Sequence, residues 1–322
     1  MNAAFFNQLN IPSPDINLGV KDASNVQQIA QVLQKFEPIV LREKPHAILV
    51  VGDVNSTLAC SMVAAYHKIK IIHVEAGLRS FDLSMPEEIN RMLTDKISDL
   101  LFVTESSAVE NLKKEGIDPN KIHVVGNVMV DTLLKYKTLA SESSKILDLL
   151  ELQPKQYALL TLHRPANVDD KNVLQGILEA VVELSQKISI VFPIHPRTKN
   201  SIYNFKLNDL LRDLKLTPPL SYFDMVQLME NSKLVLTDSG GIQEETTILD
   251  IPCLTLRKNT ERPITVKEGT NVVVGTQKAD ILLYAFNALK RVTKAGKYPE
   301  LWDGSSAKRI VGIIENWGSH LL

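Results

Sequence analysis

The sequence predicts an α/β protein of two domains, each built on a parallel sheet covered by helices on both faces. Short apolar runs such as Ala47–Val51 and Leu100–Val103 alternate with amphipathic helical patterns, as strands buried on both faces require. The 322-residue chain is too long for one ordinary core. The polar segment 139–155, with Ser141, Ser143, Ser144 and Pro154, interrupts the pattern, which restarts at Tyr157. The expected domains are therefore 1–150 and 151–302, with the last helix still to be placed.

Residues 1–20 read as irregular, with Phe5-Phe6, Pro12, Pro14 and Asp15, and no apolar strand there leads into a glycine turn. Helical periodicity starts near Asn25 and runs through Ile29, Val32, Leu33, Phe36, Ile39 and Val40. Strand 47–51 ends in Gly52-Asp53, helix 56–67 follows, and strand 71–74 ends at Glu75-Ala76-Gly77. Pro86 suits the first turn of a helix that carries Glu87, Glu88, Asn90 and Arg91. Strand 100–103, helix 106–115 and strand 123–125 complete the first half. The second half reads as strand 157–162, helix 172–186, strand 188–193, a less regular part, helix 222–230 and strand 234–238. Strands 253–256 and 271–274 and helices 279–293 and 305–317 close the chain.

Composition narrows the function. A formal net charge of -1 and an aromatic content of 6% argue against a nucleic-acid binder that uses bulk positive charge or stacking platforms. Cys60 and Cys253 both lie in apolar runs and read as buried, reduced thiols. The Cys and His spacing matches no metal site. No apolar run reaches the roughly 18 residues that span a bilayer, and no signal peptide opens the chain. A cytoplasmic protein without membrane or nucleic-acid partners is expected.

The central stretch is Leu234–Leu249, where strand residues end at Asp238 and Ser239-Gly240-Gly241 lead into a helix. Glycine lets the backbone approach a ligand, and a helix N-terminus offers free N–H groups, so this arrangement suits a phosphate. An ordinary tight turn has the same pattern. In an open parallel sheet ligands lie beyond the carboxyl ends of the strands. Asp53, Glu75, His163, His195 and Asp238-Ser239 all fall at such ends, so two facing domains would share one cleft. Asp53 suits an N-cap or catalysis equally well. Glu75, after an apolar strand, is harder to explain as structure, and burial there would raise its pKa. Glu87 and Glu88 match the helix dipole. His163-Arg164-Pro165 and His195-Pro196-Arg197 repeat one arrangement on successive strands, and suit a phosphorylated sugar. Lys258, Glu261 and Arg262 form a charged loop that could add charge at phosphates.

Seven motifs in order are Gly52-Asp-Val-Asn-Ser-Thr57, His73-Val-Glu-Ala-Gly-Leu-Arg-Ser80, Pro86-Glu-Glu-Ile-Asn-Arg91, Leu162-His-Arg-Pro165, Pro193-Ile-His-Pro-Arg197, Thr237-Asp-Ser-Gly-Gly-Ile-Gln-Glu-Glu245 and Thr260-Glu-Arg-Pro263. Together they resemble the non-hydrolysing UDP-N-acetylglucosamine 2-epimerases over nearly the whole chain. The resemblance implies two Rossmann-like domains in a GT-B arrangement, the active site in the interdomain cleft, and a C-terminal helix, within 303–322, returning to the first domain. It implies interconversion of UDP-GlcNAc and UDP-ManNAc through elimination of UDP to 2-acetamidoglucal and re-addition. By motif position, Asp53, Glu75, Glu87 and His163 are the catalytic candidates. Ser239, Gly240, Gly241 and Arg262 lie on the phosphate side, Glu245 at the ribose, and Arg164 and His195 bind the sugar nucleotide. The family implies no cofactor and no metal, a homodimer, a second UDP-GlcNAc as activator, and a supply of cell-surface polysaccharide precursors.

Members of that family open with a strand running into a Gly-x-Arg-Pro turn and a second strand ending in Gln-His; neither is present here. An upstream extension restoring them is the expectation. The alternatives to epimerisation are a GT-B glycosyltransferase, a hydrolysing 2-epimerase, and an inactive truncated form that binds UDP.

Overall fold

The structure, a computed structural model, describes residues 6, 9–21, 23–290 and 296–319. The chain divides into two compact units, one of Pro12–Asp131 with Glu300–Leu322 and the other of Met1–Ile11 with Thr132–Pro299. The division falls at Asp131/Thr132 inside the helix Val128–Ser143, where the sequence reading sets it in the polar segment 139–155. That segment is largely helical: Ala140 and Ile146 are buried while Ser141 and Ser143 face solvent, so its serines mark one face of a helix.

The first unit carries strands β1 (Ala47–Val51), β2 (Lys70–Ala76), β3 (Leu100–Val103) and β4 (Ile122–Val124), parallel and in the order β1-β2-β3-β4. Alternate residues of each strand serve opposite faces. Ile48, Val50 and Ile71 pack with Val40 of helix Asn25–Glu43 and Val63 and Ala64 of helix Asn55–Tyr66. On the other face Ile72, Val74, Leu100 and Phe102 meet Ile310, Ile313, Ile314 and Trp317 of helix Ser306–Gly318. Among the described residues β1 is an edge strand, and Leu49 and Val51 are about half exposed.

The last helix is tied back to this unit by polar contacts. Ser306 N and Ala307 N donate to the Asp131 carboxylate at 3.1 and 2.7 Å, and Arg309 Nη1 donates to the Val125 carbonyl at 3.0 Å. Trp302 Nε1 reaches the Thr104 carbonyl at 3.0 Å. The chain can pass here because Gly126, with φ +87°, has no side chain.

The second unit holds β5 (Tyr157–Thr161), β6 (Ser189–Pro193), β7 (Lys215–Thr217), β8 (Leu234–Thr237), β9 (Cys253–Thr255) and β10 (Asn271–Val273). All pairs are parallel and the order is β10-β9-β8-β5-β6-β7. The chain therefore winds one way from β5 through β6 to β7, then crosses to β8 and winds the other way, making a switch point between β5 and β8. Leu160, Phe192, Leu236, Ile177, Leu178 and Ile281 lie in one fully buried cluster beneath it. Helix Pro196–Asn204 and the three-residue β7 occupy the stretch read as less regular; two of the three β7 residues are exposed, so no apolar run announces it. The predicted extension of helix Lys278–Leu289 to Thr293 lies outside the described residues.

A methyl group on Gly126 would lie 2.1 Å from the Leu301 carbonyl oxygen, in a conformation that disfavours any side chain. Gly126→Ala should therefore cost the first unit about 1–3 kcal/mol, read as a lowered midpoint of urea unfolding. An unchanged midpoint would show that the contact has no energetic weight.

Candidate active site

In the first unit the predicted carboxylates gather at the carboxyl ends of β1 and β2. The register between these strands slips at Glu75, and that residue has φ +69°. A bulge re-aims a side chain, and a positive φ in a residue other than glycine is a costly conformation that surrounding contacts must hold. Here the Glu75 carboxylate is turned over the end of β1, where a methyl on Gly52 would sit 3.5 Å from Glu75 Oε2.

Beneath it lies the fully buried His73. Its Nδ1 is 2.7 Å from Asp95 Oδ1 and its Nε2 2.8 Å from the Gly52 carbonyl. Both partners are acceptors, so both ring nitrogens carry protons. Burial opposes that charge, but the Asp95 contact outweighs it and His73 is shifted upward. Asp95 also receives Arg79 Nη2 at 2.8 Å and Gly77 N at 3.1 Å, and Arg79 forms a two-pronged pair with Glu115. Two cations and two carboxylates thus balance under the turn that carries Glu75.

Asp53, a quarter exposed, pairs with Arg91, whose other arm holds Glu88 at 2.7 Å. Asn90 Nδ2 donates to the Asp53 carbonyl at 2.9 Å. Glu88 itself accepts from Ser80 N at 2.9 Å and Phe81 N at 2.9 Å. Glu88 is thus a buried clamp for the loop after β2. Glu87, in the first turn of helix Pro86–Ile97, stays partly exposed. The structure brings Asp53 and Glu75 to the end of one strand pair, while Glu87 lies on the helix that follows the β2 loop.

In the second unit the site residues lie at the switch point, the position where open parallel sheets hold ligands. His163 and Arg164 follow β5, and Asp238 to Gly241 follow β8. Asp238 is fully buried beneath the β5 turn. His163 N and Arg164 N donate to it at 3.0 and 2.9 Å, Asn167 Nδ2 at 3.2 Å, and His163 Nδ1 stands 2.9 Å away. Burial would raise this carboxyl, but His163 and the two backbone donors hold it below its usual range. The His195 ring lies 5.9 Å from that of His163. Its Nδ1 accepts from Arg197 N at 3.2 Å, and burial, His163 and Arg197 together lower its pKa.

The helix Gly240–Ile248 begins at Ser239, with no side-chain cap on its first N–H groups. A methyl on Gly240 would stand 3.2 Å from Arg262 Nε and 3.3 Å from Glu261 Oε1, so glycine permits this close approach. Glu261 sits among three guanidinium groups: Arg257 at 2.8 Å, Arg164 at 3.2 Å and Arg262 at 3.4 Å. Burial works against its charge, yet Arg262, Arg257 and Arg164 hold it down to about 2. Arg262 Nε also lies 3.2 Å from Glu244. Three arginines against two glutamates leave an excess positive charge beside the helix N-terminus, where an anion is stabilised. One turn along the helix Glu245 is almost wholly buried, and burial pushes its carboxyl up to about 7. The Tyr222 hydroxyl donates to it at 3.1 Å.

Sequence reasoning did not single out His73, Asp95, Asn167, Tyr222 or Arg257. Asp95 and Asn167 lie among ordinary helix residues, and only the fold brings them beneath the turns. Arg257 could have been found by its place between strand β9 and Arg262.

This geometry defines an α/β protein with a parallel sheet in each of two Rossmann-like units, the GT-B fold class, and an anion site at a helix N-terminus. A family profile described as UDP-N-acetylglucosamine 2-epimerase matches residues 1–315. The UDP-N-acetylglucosamine 2-epimerase of Methanocaldococcus jannaschii is 43% identical over 323 residues, 98% of this chain and 87% of that protein. The crystal structure of the M. jannaschii UDP-GlcNAc 2-epimerase in complex with UDP-GlcNAc and UDP superimposes with a TM-score of 0.92 at 42% identity, covering 98% of this chain and 88% of that one. The UDP-2,3-diacetamido-2,3-dideoxy-D-glucuronate 2-epimerase of Pseudomonas aeruginosa is 40% identical over 292 residues, 90% of this chain and 80% of that protein. The chain belongs to the UDP-N-acetylglucosamine 2-epimerase family.

A carboxyl raised to about 7 in the folded protein and near 4.3 when unfolded contributes stability that is complete below the unfolded value. That contribution is lost as pH rises through the folded one. Relative to Glu245→Gln, the native chain should lose on the order of 3 kcal/mol between about pH 4.5 and 7. Parallel denaturation of both proteins across that range is the check, and a constant difference would refute the assignment.

Proposed function

We propose that the chain interconverts UDP-GlcNAc and UDP-ManNAc, without hydrolysis, by removing UDP and adding it back. The observation that carries the reading is the uncapped helix start at Ser239, Gly240 and Gly241 with Arg262 packed against it. Such a site stabilises the charge of a departing diphosphate. An unactivated C2–H is a weak acid, so loss of the proton has to be driven by loss of the leaving group, and preorganised donors serve that best. Gly240 N, Gly241 N, Ser239 and Arg262 receive the diphosphate, Arg164 and His195 flank it, and Glu245 takes the ribose hydroxyls.

At the sugar, a carboxylate takes the C2 proton while the C1–O bond breaks, leaving 2-acetamidoglucal and UDP. UDP then re-adds at C1 as a proton reaches C2 from the opposite face. Two faces need two acid–base groups, and Asp53, Glu75 and Glu87 are the candidates. Glu75 is the strongest, because a strained backbone holds its carboxylate in place. His163 acts at the diphosphate end. No cofactor or metal takes part. A homodimer, activation by a second UDP-GlcNAc, a cytoplasmic location and a role in supplying cell-surface polysaccharide precursors complete the proposal.

A second substrate deserves a direct comparison, because the 40%-identical P. aeruginosa relative is described for an oxidised, diacetamido sugar nucleotide. The same elimination and re-addition would serve it, with different groups around C3 and C6.

Purified protein with UDP-GlcNAc in D2O should form UDP-ManNAc and replace the C2 proton by deuterium, as followed by NMR. Free UDP accumulating with turnover would indicate hydrolysis, and strict dependence on an acceptor would indicate a glycosyltransferase. Bound UDP without deuterium exchange would indicate an inactive form. Faster turnover of the diacetamido-glucuronate would move the assignment to that substrate. Glu75→Gln should lower kcat by about 10²–10⁴-fold with KM little changed, and full activity in that variant would remove Glu75 from the chemistry.

A further inference from the structure

The best-defined polar arrangement at the switch point is the buried Asp238 beneath His163. Asp238 has no solvent exposure, and its oxygens receive two backbone N–H groups, from His163 at 3.0 Å and Arg164 at 2.9 Å. Asn167 Nδ2 adds a third donor at 3.2 Å. Such a carboxyl is ionised, and an ionised carboxylate only accepts. The His163 Nδ1 that faces Asp238 Oδ1 at 2.9 Å therefore carries a proton. A histidine side chain in water prefers its proton on Nε2, so the protein imposes the less common neutral form. The His163 side chain is 39% exposed while its partner is 0% exposed, so Nδ1 is anchored and Nε2 is the nitrogen left for a ligand.

The surroundings leave that assignment to Asp238. The neighbouring His195 has its Nδ1 occupied by Arg197 N. The Arg197 guanidinium is paired with Asp169, its Nε donating at 3.0 Å. Arg164 directs its guanidinium to Glu261.

We infer that Asp238 is a positioning residue that locks His163 with Nδ1–H in the buried carboxylate and so reserves Nε2 for the diphosphate end of the substrate. This rests on the UDP-sugar reading above. In the elimination the C1–O electron pair leaves with the diphosphate; the neutral Nδ1–H ring takes up a solvent proton at Nε2, passes it to the departing oxygen and so returns to the Nδ1–H form. The C2 proton goes to a carboxylate, and the C1–C2 double bond takes up the electrons of the C–H bond. Re-addition of UDP returns the proton to Nε2.

The decisive measurement needs no substrate. Imidazole ¹⁵N NMR of the free protein, with the His163 signal assigned by its loss in His163→Gln, should show the neutral ring protonated at Nδ1. A neutral ring protonated at Nε2 would overturn the inference. In Asp238→Asn the ring should revert to Nε2–H and kcat should fall about 10²-fold, with KM changed by less than about threefold. A reverted ring with undiminished kcat would also overturn it. Should that variant fail to fold, the wild-type tautomer still decides. Absence of wild-type turnover with an Nδ1–H ring would defeat the epimerase reading and the proton transfer, yet uphold the anchoring of His163.

Discussion

Buried carboxylates hold the strand ends of both units, and the site residues depend on them. Asp95 and Glu88 do this in one sheet, and Asp238 and Glu261 in the other; none is more than 1% exposed. Taking a carboxylate out of water is costly unless donors surround it. At Asp95 and Glu88 those donors are backbone N–H groups of the turns as well as cations, and at Asp238 they are two backbone N–H groups, Asn167 and the His163 ring. Removing one of these carboxylates would leave N–H groups or cations unpaired beneath a turn. The turns are therefore held by the same contacts that aim Glu75 and His163.

That dependence explains why a parallel sheet suits this chemistry. Every strand delivers its carboxyl end to one side of the sheet, so residues that follow apolar runs in sequence collect in space. In the six-stranded unit the reversal of winding between β5 and β8 adds a gap where loops diverge. His163 and Ser239 come from opposite sides of that gap, 76 residues apart in sequence, and Asp238 spans it by bonding the β5 turn from the end of β8. In the four-stranded unit the order is simple, and a bulge at Glu75 does the aiming instead.

Much of this was legible in the sequence, and for a physical reason. Fully buried strands such as Leu100–Val103 and Leu234–Thr237 must be apolar throughout, and the polar residues after them stand out. The strand-turn-helix at Ser239 was readable as a tight turn from its two glycines, and the motifs around it rather than the glycines alone pointed to a phosphate. The strained φ of Glu75 left no such mark, since the register slip is a property of strand pairing. The partners beneath the turns were silent too: Asp95 and Asn167 look like any helix polar residue until the sheet places them. The serines near residue 141 read like a linker because they line the exposed side of helix Val128–Ser143, whose Leu133 and Ala140 are buried.

Glu261 and Glu245, beside and within the helix that starts at Gly240, show how one region can hold carboxyls in opposite states. Glu261 and Glu245 are both buried on neighbouring segments, yet one is held down to about 2 and the other pushed up to about 7. The difference is their company: three guanidinium groups face Glu261, whereas a neutral phenol hydroxyl faces Glu245. Glu261 therefore keeps the arginines spread and partly neutralised, which spares the protein an uncompensated cluster of positive charge. Glu245, pushed up to about 7 by burial, repels an anion less than an ordinary carboxylate would while keeping oxygen atoms for hydrogen bonds. A helix start built this way carries a modest excess of positive charge, which favours an anion, and leaves the neighbouring carboxyl free to adjust its proton.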